Sequence, residues 1–150
     1  MSTLLLLHIV FCLISYIIFL VASITGFMFL IQDDQLKRKS MGILFNKIPS
    51  LGFLEQVNYA CLKSGFIFLS LGLMIGIVYA KLKVGTWWTW DPKELLTLLL
   101  WSTYLTLLIY RMKSYLRGRK IALSSILGFT LVLFTYWGVN RLFPTWHNYQ

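Results

Sequence analysis

From Leu4 to Ile31 the chain runs for 28 residues with no charged side chain and one histidine, His8. A helix rises 1.5 Å per residue, so roughly 20 apolar residues are enough to cross a bilayer. The run lacks a basic leader and a small-residue cleavage site, and it is expected to be a retained helix rather than a signal peptide. Three more apolar runs follow, about Leu54 to Tyr79, Leu95 to Tyr110 and Ile121 to Phe143. Only 13% of the residues are charged, against about 25% in soluble domains. The expected fold is therefore an all-α integral membrane protein, a bundle of four transmembrane helices forming a single domain over residues 1–150. Within the second run Gly72 and Gly76 stand four apart, a small-xxx-small face suited to close helix packing in lipid.

The net charge of +9 suggests nucleic acid only until the basic residues are located. They lie in short clusters between the apolar runs, the pattern by which membrane proteins fix their orientation, so no nucleic-acid partner is expected. The first and third loops hold nine, at Lys37, Arg38, Lys39, Lys47, Arg111, Lys113, Arg117, Arg119 and Lys120. The opposite side holds four, Lys81, Lys83, Lys93 and Arg141. The positive-inside rule puts the nine in the cytoplasm and both termini at the outer face. His8, the loop after the second run, and His147 then share the outer side.

That loop is Val84-Gly85-Thr86-Trp87-Trp88-Thr89-Trp90-Asp91-Pro92-Lys93-Glu94, with three of the six tryptophans inside four residues. Asp91, Pro92 and Glu94 resemble a helix start with Asp at the N-cap, Pro at N1 and an acid at N3. Trp and Tyr also populate ordinary interfacial belts, but three together beside Gly85 form a flat platform where backbone can approach closely. His8 and His147 are the two histidines of the chain. Imidazole suits iron, copper and zinc; a two-histidine set is thin for zinc and is the full axial set of a six-coordinate haem. Carboxylate-bearing edges of such a ligand need cations, for which Lys81, Lys83, Lys93 and Arg141 are candidates, although interfacial basic side chains also simply snorkel. Cys12 and Cys61 form no CxxC pair or CxxCH motif, so the chain is not itself a c-type cytochrome.

Trp87 to Glu94 resembles the tryptophan-rich signature of the haem-handling proteins of cytochrome c biogenesis, the CcsA, CcmC and CcmF types, and its Asp-Pro-Lys-Glu ending is most similar to CcsA. The likeness continues in His8 before Ser15-Tyr16, in Gly128-Phe129, in Tyr136-Trp137-Gly138-Val139-Asn140 and in His147-Asn148-Tyr149. It implies that His8 and His147 are axial ligands of haem b iron. It also implies that Gly85, Trp87, Trp88, Trp90 and Asp91 build the cradle for the ring. The chain resembles only the core of full-length CcsA proteins, and Ile109 stands where they carry a further histidine. An intramembrane site that takes haem from the cytoplasm is thus expected to be missing or completed by another subunit, which brings the chain closer to the CcmC arrangement.

The function implied is the binding of haem b at the outer face of a bacterial cytoplasmic or thylakoid membrane and its presentation to apocytochrome c. Partners implied are other maturation subunits (CcsB/ResB-like or an additional haem-handling chain), apocytochrome c and membrane lipid. No base, nucleophile or redox pair is visible for thioether formation, so any cytochrome c haem lyase activity belongs to an assembled complex. Two other readings remain open from the residues alone: a b-type haem electron-transfer subunit, and a haem-free structural subunit.

Overall fold

The computed structural model describes residues 2–39, 42–114, 118–138 and 141. The elements are α1 (Thr3–Lys37), α2 (Ile43–Lys47), α3 (Leu51–Val84), α4 (Pro92–Met112) and α5 (Arg119–Leu133), which continues as a π turn over Phe134–Gly138. There is no strand among the described residues. Four helices, α1, α3, α4 and α5 with its π turn, are long and apolar enough to cross a membrane. The expected four-helix membrane bundle is the fold observed.

Helices α1, α3 and α4 exceed the apolar runs that announced them because capping and ion pairing carry the backbone further. Ser2 Oγ accepts the Leu5 N–H and Ser50 Oγ accepts the Phe53 N–H, each at 3.4 Å, satisfying donors that the first turn of a helix leaves open. At the far end of α1, Lys37 pairs with Asp33 one turn earlier at 3.0 Å. With 35 residues, α1 is about 52 Å long, well beyond a hydrocarbon thickness of about 30 Å. The short α2 lies in a stretch whose sequence reads only as a polar, basic connection.

Helix α1 is the spine of the bundle, antiparallel to both α3 and α5. Its neighbour α3 presents glycines to it: an added Cβ at Gly65 would meet the Phe19 ring at 2.5 Å, and one at Gly72 would meet Cys12 Sγ at 2.8 Å. The small-residue face anticipated in the second run is therefore the α1–α3 seam. Ser15 Oγ donates to Gly65 O across it at 2.9 Å. On the α5 side, a Cβ at Gly26 would sit 2.9 Å from Ala122 O. Between all three helices, buried Asn58 donates to Ala22 O at 2.8 Å and to Ser125 Oγ at 3.0 Å, while Ser125 Oγ donates to Ile121 O at 2.9 Å. Interhelical hydrogen bonds in lipid contribute about 0.6 kcal/mol on average. Asn58 thus adds registry more than bulk stability.

Helix α4 closes the fourth side. Tyr104 stacks face to face on Phe19 with centroids 3.7 Å apart, and Trp101 Nε1 donates to Ser70 Oγ at 2.9 Å. At one end of the bundle lie the described ion pairs: Glu55 with Arg111 at 3.3 Å, and Arg119 with Asp33 and Asp34 at 3.2 and 2.8 Å. The tryptophan loop occupies the other end.

Alanine normally favours a helix over glycine by about 1 kcal/mol. Gly52→Ala, which meets nothing within 4 Å, should accordingly raise the melting temperature in detergent. Gly26→Ala should lower it, because the new methyl group faces the α5 backbone. Equal gains at both positions would contradict the close α1–α5 approach.

Candidate functional site at the tryptophan-loop end

Helix α3 stops because Gly85 takes φ +84°, returning its N–H to Lys81 O at 3.1 Å. An added Cβ at Gly85 would meet nothing within 4 Å. The glycine therefore serves the left-handed turn. The loop then re-enters the bundle at Asp91, whose Oδ1 accepts the Lys93 N–H at 3.0 Å, with Pro92 at the first helical position. This is the N-cap read from the sequence. Asp91 is buried.

Glu94 departs from a standard capping box. Instead of reaching the N-cap N–H, its carboxylate accepts both the Thr89 N–H at 2.9 Å and the Thr89 hydroxyl at 2.8 Å. Trp90 lies between this clamp and the Asp91 cap and takes φ +59°. A left-handed conformation costs a residue with a Cβ roughly 1–2 kcal/mol. The clamp on one side and the cap on the other hold that strain in place. The kink divides the three tryptophans. Trp88 is half-buried and meets Trp90 edge to face at 6.4 Å. Trp90 is 74% exposed and Trp87 is 59% exposed.

Facing Trp88 is a cavity of about 150 Å³ lined from α1 by His8, Cys12 and Tyr16, from α3 by Gly76, from α4 by Lys93, and from the π turn by Tyr136. His8, Cys12 and Tyr16 are spaced by four, one helical face. Tyr16 and Tyr136 meet edge to face at 6.3 Å. The imidazole of His8 brings its Nδ1–Cε1 edge against α3 because Gly76 has no side chain; a Cβ there would stand 2.7 Å from both atoms. Nδ1 is 2.7 Å from Gly72 O. A carbonyl only accepts, so Nδ1 is the donor, and in the neutral ring Nε2 carries the lone pair. A backbone carbonyl holding Nδ1–H is the usual support of a histidine that binds metal through Nε2.

The structure thus brings His8 and Trp88 to one cavity and sets Trp87 and Trp90 beside it. Gly85 and Asp91 terminate the helices that frame it. His147 lies outside the described residues, as do Val139 and Asn140. Ile109, where the resemblance implied a further histidine, is 42% exposed on α4, on the outside of this four-helix unit. Sequence reading missed Gly76 as the seat of His8 and Glu94 as the clamp on Thr89. It also passed over Cys12 as a wall of the cavity, although its four-residue spacing from His8 was a usable signal.

A family model described as cytochrome c assembly protein matches residues 1–147. Among curated proteins, the chain is 34% identical over 167 aligned positions to the cytochrome c biogenesis protein CcsA of Prochlorococcus marinus strain MIT 9301, covering 99% of this chain and 54% of that protein. The protein of the same name from strain MIT 9215 is 41% identical over 96 positions, 64% of this chain and 31% of that protein. Its Chlamydomonas reinhardtii namesake is 32% identical over 148 positions, 99% of this chain and 41% of that protein. The chain spans about half the length of the curated relatives that match it most fully. No solved structure matches.

Proposed function

The chain belongs to the cytochrome c assembly protein family, and from that premise we propose that it binds haem b at the tryptophan-loop end and presents it to apocytochrome c. One observation carries the reading: His8, oriented through Nδ1 by Gly72 O, shares a cavity with Trp88 and Lys93. The donor set fits a haem on this side, with a fixed imidazole for the iron, indole and tyrosine rings for the macrocycle, and an ammonium for its carboxylates. His147 would be the second residue to hold the iron in this proposal, on the strength of the family resemblance. When bound, haem would supply an iron for imidazole to hold and vinyl groups to which cysteine thiols add.

The residues of this chain hold and orient. Gly72 O fixes the His8 tautomer, Gly76 leaves room for the ring, and Thr89 with Glu94 ties down the backbone next to Trp88. At about 150 Å³ the enclosed space is smaller than the roughly 300–1,000 Å³ of typical cofactor pockets. The exposed Trp87 and Trp90 beside it would extend the aromatic surface available to a flat ligand and to a partner that reaches it. Thioether chemistry is assigned to the complex formed with apocytochrome c and further maturation subunits, CcsB/ResB-like or a second haem-handling chain.

We place this end at the outer face of a bacterial cytoplasmic or thylakoid membrane, with nine Lys and Arg in the opposite loops against four here. In a chain with Cys12 and Cys61 replaced by alanine, a membrane-impermeant maleimide added from outside should label Thr86→Cys and spare Gly42→Cys; the reverse pattern would invert the topology.

The haem assignment is tested by the absorption spectrum and pyridine haemochrome of the detergent-purified full chain. The parent should carry haem b, and both His8→Ala and His147→Ala should lose most of it. Undiminished haem in either variant would remove that histidine from the site, and a haem-free parent would favour a structural subunit.

A further inference from the structure

Four cations belong to the tryptophan-loop end, and the structure separates them. Lys81 donates to Gly85 O at 2.9 Å and lies 5.4 Å from the Trp87 ring centroid. Lys83 lies 5.5 Å from the ring of Tyr79, and Arg141 lies 5.6 Å from that of Trp137. These three rest on aromatic surfaces outside the cavity, where cation–π attraction accounts for them. Lys93 alone of the four lines the His8 cavity, where it is half-buried and within electrostatic reach of His8, Cys12 and Asp91.

Helix stability does not explain a lysine there. It stands in the first turn of α4, at the positive end of the helix dipole, where an anionic side chain is favoured and a cation is not. An ammonium carries three donors, so it can serve more than one acceptor at a time. A cation in a partly dry cavity acts more strongly on its neighbours than one in water. It opposes a bare divalent ion beside His8 and favours a ligand that brings its own negative charge.

We propose that Lys93 is the specificity-determining residue of this site: it recognises a free carboxylate on the macrocycle that His8 holds, so that the carboxylate edge turns inward and the opposite edge outward. The inference rests on the haem-handling reading and extends it to ligand orientation and to discrimination by charge. Lys93 positions the ligand and takes part in no bond-making step.

The test compares haem with its dimethyl ester, in which both carboxylates are neutral, by absorbance titration of the purified full chain. The parent should bind haem about ten- to a hundredfold more tightly than the ester, the range of a charge-assisted hydrogen bond. Lys93→Met should abolish the preference, so that haem and its ester bind alike. Lys93→Arg should restore most of the preference. A parent that binds both ligands equally, or a Lys93→Met chain that keeps the parent's preference, even with both affinities reduced together, would overturn the role of Lys93 while leaving haem binding intact. A parent that binds neither would overturn the haem site itself and this proposal with it.

Discussion

The hydrogen bond between His8 Nδ1–H and Gly72 O, 2.7 Å long, ties the packing of the bundle to its chemistry. It exists because α3 offers a glycine at 72 and another at 76, allowing a ring on α1 to lie against backbone instead of against a side chain. The same seam, two to three turns further along, admits Phe19 over Gly65 and the Ser15 bond to Gly65 O. Without a hydrophobic force between helices in lipid, close approach and polar contacts of this kind hold spans together. The contacts that fix α1 on α3 therefore also fix the tautomer and the seat of the imidazole. In the proposed function the ligand is held by a rigid helix pair, and the loop supplies the cover.

The loop's geometry is stabilised from α4. Glu94 and Asp91, which begin that helix, also grip the residues before it, and Trp90 pays for the connection with a left-handed backbone. The division that results, Trp88 inward and Trp87 and Trp90 outward, suits a site that retains one part of a flat ligand and displays another. The opposite end of the bundle is built differently, with Glu55, Arg111, Arg119, Asp33 and Asp34 in ion pairs. Its exposed members contribute little energy, yet they tie the far ends of α1, α3, α4 and α5 together.

Much of this was legible in the chain itself. Hydropathy and length announced the four spans, the glycine spacing announced the seam, and Asp91-Pro92 announced the start of α4, since each is a local signal. The seat of His8 was not legible, because Gly76 lies 68 residues away and no local pattern encodes which helix faces which. Nor was the partition of the tryptophans, which follows from the sign of one φ angle at Trp90 in a segment with no period. The stretch carrying α2 is too polar and too short for periodicity to reveal a helix.

In the proposed function His8 ligates iron through Nε2, the nitrogen that Gly72 leaves available. The most direct measurement is electron paramagnetic resonance, with nitrogen hyperfine spectroscopy, on the ferric haem-loaded full chain carrying nitrogen-15 in its histidines alone. The account predicts a low-spin spectrum with two coupled imidazole nitrogens, one of which disappears in His8→Ala. A high-spin spectrum without imidazole coupling, or a low-spin one that His8→Ala leaves unchanged, would contradict it.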